Sequence, residues 1–177
     1  VFLPDAVGVG QRKVEICARY GLTGLYPLDN AVDLAAEDAS MAIFKGNVGM
    51  MNASVAIIAN LTPFRGPSAD VGTVFELGYM AGRGKFCLGY SNDASLYADR
   101  VRKTTDVKSV DGSLIDAQGL SVEDFALSDN LMIVHTLDLY KFPLVTPRLP
   151  PLDYWYDLAA FETCVRLAAR RLNRAQS

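Results

Sequence analysis

Two carboxylates six positions apart, Asp70 and Glu76, occupy the part of this chain best suited to chemistry. The stretch runs from Asn60 through Phe64, Gly66, Asp70 and Gly72 to Glu76, Gly78 and Tyr79. Each acid has an ordinary structural explanation. An Asp just before a helix is commonly its cap, and a Glu in the first turns complements the helix macrodipole. Their neighbours point further. Glu76 lies between Phe75 and Leu77, with Tyr79 three positions on, so it is not on an obviously solvated charged face. Gly66, Gly72 and Gly78 leave room for a ligand to approach the backbone. A carboxylate held among apolar groups beside a second acid has its protonation set by its surroundings, the usual route to acid–base or nucleophilic work.

The elements around the acids give them a place. Residues 53–59 form an apolar run that reads as a strand buried on both faces. After Asp70 the spacing predicts a helix that stops at Gly82, Arg83 and Gly84, followed by a strand over 85–90. The acids therefore sit where a strand gives way to a helix, the edge at which open α/β sheets bind ligands.

Before this unit, residues 6–20 read as a helix with Val9, Ile16, Cys17 and Tyr20 facing inward and Gly21 closing it. Residues 22–26 read as a strand ended by Pro27, and Leu28, Asp29 and Asn30 as a loop, either a pocket wall or a plain turn. Residues 34–52 read as a helix with Phe44, Val48 and Met51 as its core stripe. Asn47 falls off that stripe, as a surface residue or a pocket residue.

Residues 91–118 are polar and irregular and read as a surface excursion or lid. Residues 131–136 look strand-like, with His135 near the strand end. A stiff connector at 146–151 leads to a C-terminal helix at about 153–173, capped by Asp153, with Tyr154, Leu158, Phe161, Val165, Ala168 and Leu172 on one stripe. The whole reads as one domain over residues 1–177. Its expected architecture is a doubly wound, flavodoxin-like or Rossmann-like α/β fold: a mostly parallel sheet of about five strands with helices on both faces.

Half of the 177 residues are hydrophobic and 21% are charged, ordinary proportions for a soluble globular protein. A net charge of −3 gives no basic footprint for nucleic acid or an anionic membrane, and no run has the apolar length of a membrane span. Cys17, Cys87 and Cys164 are odd in number and embedded in apolar segments, which suits reduced thiols in the cytoplasm. One histidine cannot build a multi-histidine metal site, and neither a metal nor a cofactor is expected.

The pattern Asp70-x-Gly72-Thr73-x-x-Glu76-Leu77-Gly78-Tyr79 resembles the signature of the nucleoside 2-deoxyribosyltransferase family. The resemblance implies that Glu76 is the nucleophile at C1′ of the sugar and that Asp70 contacts the departing base. The segment Asn130-Leu131-Met132 is similar to the family's Asn-x-Met, which implies a role for Asn130 and Met132 in a neighbouring subunit's site, at the sugar 5′-hydroxyl. Asn130 is equally a turn or cap residue by its chemistry. Ile43 to Val48 resembles a third segment, but Asn47 stands where the family often has an Asp that contacts the base. Phe64 and Gly72 belong with these residues as substrate contacts. The likeness spans roughly residues 1–140. Members usually begin with a short strand ahead of a pair like Val1-Phe2, so the numbered sequence is expected to start about ten residues into the native chain.

The chemistry implied is a retaining double displacement through a deoxyribosyl-glutamate, with two carboxyls dividing the labour as in a retaining glycosidase. Tyr79, one turn beyond Glu76, is placed either to orient that carboxylate or to pack in the core. The expected partners are deoxynucleosides and free nucleobases, and an active site shared between subunits implies a homo-oligomer. Two other functions fit the same residues. One is a hydrolase of deoxynucleoside 5′-monophosphates, with Ser68 and Arg65 near Gly66 as phosphate contacts. The other is a non-catalytic nucleoside- or nucleotide-binding module.

Overall fold

A computed structural model of the chain describes residues 2–27 and 35–174. The loop expectation at Leu28, Asp29 and Asn30 and the start of the helix expected from residue 34 lie outside the described residues.

The chain builds an α/β structure around a parallel pair of strands, β1 (Ala56–Asn60) and β2 (Phe86–Tyr90). Both are short apolar runs, and β2 shows why: its side chains alternate between two cores. Leu88 and Tyr90 join α1 (Ala6–Arg19) and the C-terminal α6 (Ala159–Arg174) in one core, with Ile16, Cys17, Phe161, Cys164 and Val165. Cys87 points into the other, formed with Met51, Leu77, Met80, Ile133 and Leu137. These come from α2 (Ala39–Ala53), α3 (Val71–Gly82) and α5 (Leu131–Leu139). A strand buried on both faces has no polar face to spare, which is the pattern of parallel sheets. Gly89 lets α5 approach: a Cβ there would lie 2.8 Å from Leu137 and from Leu61.

Helix α3 forms where the sequence predicts it. Asp70 caps it by accepting from the Thr73 amide at 3.0 Å, and Gly84, at φ +67°, ends the turn beyond it. Lys85 then closes α2 from a distance, donating to the carbonyls of Met51, Asn52 and Ser54 at 2.6–2.8 Å.

Several expectations are corrected. Among the described residues the parallel sheet has two strands, extended only by a single bridge from Tyr90 to Val145. Residues 22–26 are not paired as a strand, and a cavity separates them from β1. The polar stretch 91–118 is regular: a short α4 (Tyr97–Arg102) precedes β3 (Val107–Val110) and β4 (Ser113–Asp116), which pair antiparallel with β5 (Ser121–Val122). None of the residues of these strands is fully buried, so they need no apolar alternation and periodicity does not reveal them. Residues 131–136 are helical, and His135 lies within α5, 3.0 Å from Asp138. Phe44 is exposed instead of lining the core, because α2 turns only Met51 fully inward. The C-terminal helix starts at Ala159, after a turn in which Asp153 accepts from the Trp155 and Tyr156 amides.

Candidate active site

At the C-terminal end of β1 the chain leaves the sheet through Leu61 and Thr62 and returns to α3 through a loop that is tied down at several points. Asn60 Oδ1 accepts from both the amide and the hydroxyl of Thr62, and Thr62 Oγ1 accepts from the Asn92 amide just past β2. Asp129, almost fully buried, accepts from the Ser68 hydroxyl and from the Ala69 amide at 3.1 Å. Arg100 is buried beside it at 3.5 Å and donates to the carbonyls of Pro67, Ser95 and Ser128. A charged pair this deep survives only because its hydrogen-bonding groups are satisfied. Its effect is to fix residues 67–70, and with them the start of α3.

A cavity of about 580 Å³ runs along β1 from residues 22–27 and α6 to this loop. Glu76, Asp70, Thr73, Asn47 and Phe64 line it, together with Trp155. Glu76 is half-buried and, among the described residues, its carboxylate makes no hydrogen bond or ion pair. Burial, and after it the charge of Asp70, push the Glu76 carboxyl above its ordinary value. Asp70 combines two uses: one oxygen holds Thr73 as the helix cap, and the side chain also borders the cavity. Asn47 presents a buried Oδ1 with no hydrogen-bond partner among the described residues. An unpaired buried acceptor in a cavity wall is costly and favours a ligand that donates to it.

The other predicted residues lie elsewhere. Tyr79 donates to Asn52 Oδ1 at 2.8 Å and stacks on Phe75, so its hydroxyl is engaged away from Glu76. Gly72 is exposed next to the Asp70 carboxylate and is not in the cavity wall. Asn130 caps α5 through the Met132 amide and donates to Glu123, while Met132 is 70% exposed, and neither borders this cavity.

Two cavity residues had escaped the sequence reading. Lys13 places its ammonium 5.4–5.7 Å from the ring centres of Tyr26, Tyr90 and Phe161, and burial lowers its pKa to about 8. Nothing in the sequence distinguishes it from a surface lysine of an amphipathic helix. Trp155 is the single tryptophan, and its only signal was the aromatic cluster from Tyr154 to Tyr156.

Residues 1–132 match the family described as Nucleoside 2-deoxyribosyltransferase. The chain belongs to that family. Within the deoxyribosyltransferase match lie all the acids of the cavity, whereas Trp155 lies beyond it. The chain is 34% identical over 189 residues to an uncharacterized protein of Schizosaccharomyces pombe, an alignment covering 98% of this chain and 86% of that protein. It also resembles a 2-desoxiribosyltransferase from Leishmania mexicana, with a TM-score of 0.58 and 34% identity, over 75% of this chain and 79% of that one. The family match and the structural likeness agree with an α/β deoxyribosyltransferase fold.

Proposed function

We propose that this chain is a nucleoside 2-deoxyribosyltransferase, with residues 1–177 acting as one catalytic unit. The observation that carries the reading is the Glu76 carboxylate, half-buried, unpaired among the described residues and set beside Asp70 in a cavity wall. An unpaired acid in such a place is poorly explained by stability, because burying it without a partner costs free energy.

In the first step the Glu76 oxygen attacks C1′ of a deoxynucleoside as the N-glycosidic bond breaks. The bonding pair leaves with the base, and Asp70 donates or shares a proton at the base ring nitrogen. The positive charge that develops on the sugar is stabilised by the carboxylate beneath it. In the second step a nitrogen of another free base attacks C1′, the Glu76–sugar bond breaks, and the incoming base returns its proton to Asp70. Two inversions give net retention. Asn47 accepts a hydrogen bond from the base edge, and Phe64 borders the same subsite.

The sugar 5′-hydroxyl also needs a contact, and Asn130 does not border the cavity of its own chain. We assign it to Asn130 of a second copy, with Met132 beside it, which makes the working enzyme a homo-oligomer. Three buried, unpaired cysteines suit a cytoplasmic setting. The monophosphate hydrolase is less well supported. Ser68 spends its hydroxyl on Asp129, and the Arg65 guanidinium lies over the Phe2 and Phe64 rings outside the cavity wall.

The test is an incubation of a deoxynucleoside with a second free base. A new deoxynucleoside supports transfer, free 2-deoxyribose indicates hydrolysis, and unchanged substrate leaves only a binding module. Glu76→Ala should lower transfer by several orders of magnitude in a protein that still folds.

A further inference from the structure

We propose that Trp155 is the aromatic wall on which the nucleobase stacks, and so a specificity-determining residue of this site. The inference rests on the transferase reading for the identity of its ligand and deepens it by naming what holds the base.

The placement is built, not incidental. Buried Asn92, just past the end of β2, donates through Nδ2 to the carbonyls of Tyr154 at 2.9 Å and Asp157 at 3.0 Å. Its amide in turn donates to Thr62, which donates to Asn60 at the end of β1. Both strand ends therefore grip the turn that carries Trp155. Asp153 accepts from the Trp155 amide and shapes that turn from the other side.

The ring contacts decide which aromatic is available. Phe64 already stacks on Phe2, with centroids 5.0 Å apart and planes at 19°, and Arg65 lies 4.8 Å from its centre. Trp155 meets Phe64 at 87° and Tyr154 at 85°, both edge contacts, and has no parallel ring against it among the described residues. It stays 38% exposed while bordering the cavity. A large indole without a stacked partner, at the mouth of a pocket, is the arrangement that receives a planar ring. Trp155 and Asn47 border the same cavity as Glu76, one offering a ring face and the other an acceptor to a base.

Because Trp155 is the only tryptophan, its emission reports on this one position. The parent chain is titrated separately with adenine, with thymine and with 2-deoxyribose. The expected result is saturable quenching by at least one base and none by the sugar at equal concentration. In the transfer assay, Trp155→Ala should raise the KM for the base at least about tenfold, leave kcat within about threefold, and be largely rescued by Trp155→Phe. Transfer activity with emission unmoved at saturating base, or quenching equally strong with 2-deoxyribose, overturns the assignment and leaves the transferase reading in place. Saturable quenching by base in a chain that transfers no sugar does the reverse, keeping the stacking role and removing transfer. The titration uses the parent chain, so it decides the matter even if Trp155→Ala fails to fold.

Discussion

Glu76 combines two properties that pull against each other: it is partly withdrawn from water, and it has Asp70 close by to repel its charge. Both favour the protonated form, so the ionised fraction of Glu76 rises with pH through a raised pKa. Transfer should accordingly show an acid limb displaced upward from the ordinary glutamate range, measured as kcat/KM against pH. The stability consequence has a definite sign. The folded protein holds a proton on Glu76 at pH values where the unfolded chain has lost it, so stability falls as pH rises through that interval. Glu76→Gln removes the loss. Its Tm should exceed the parent's above the raised pKa, and the difference should close at acid pH. A lower Tm for Glu76→Gln at neutral pH would show instead that the carboxylate stabilises the fold. At this scale the sequence was informative where chemistry is local. Asp70 before an apolar helix announced a cap, and the neighbours of Glu76 announced its half-burial. Of the two roles open to Tyr79, packing against the core is the one seen, and its hydroxyl partner, Asn52, lies on another helix 27 positions away.

At the scale of elements, the site depends on two ties that no local pattern reveals. Arg100 and Asp129 join α4 and the start of α5 to the loop ahead of α3, and their sequence separation hides the pairing. Removing the cation leaves a buried carboxylate without its counter-charge and three carbonyls without the Arg100 donor. Arg100→Ala should destabilise the protein by about 3–5 kcal/mol, read by denaturant unfolding. A loss below about 1 kcal/mol would mean that the pair is not buried in solution. Gly89→Ala tests the packing of α5 on β2. A Cβ 2.8 Å from two leucine methyls forces both to move, at a cost of about 1–3 kcal/mol. The elements themselves were legible in proportion to their burial. Helices α1 and α3 and strand β2 came out close to their expected bounds, since each shows a clear apolar pattern and stop signal. Residues 131–136 were misread because a short β-branched apolar run suits either helix or strand, and the Asn130 cap decides it.

Over the whole molecule, the proposed assignment of Asn130 to the sugar predicts more than one copy of the chain. Asn130 serves its own helix and does not border its own chain's cavity, so a 5′-hydroxyl contact from it has to come across an interface. The outer surfaces of α3 and α5 leave Val71, Phe75, Met132 and Leu139 exposed, apolar area of the kind that subunits cover. Light scattering after gel filtration should give a mass of at least two chains, and Met132→Glu should lower both that mass and the transfer rate. A fully active monomer would remove the shared-site assignment. No helix among the described residues is long and apolar enough to cross a membrane.

The central claim is a covalent bond between Glu76 and C1′ of deoxyribose. It is tested most directly by mixing the enzyme with a deoxynucleoside in the absence of an acceptor base, quenching in acid, and weighing the protein and its peptides. The account predicts one added deoxyribosyl group, confined to the peptide carrying Glu76, gained as free base is released and lost on adding a second base. Transfer that proceeds with no adduct, or an adduct that persists on another residue in Glu76→Ala, would contradict it.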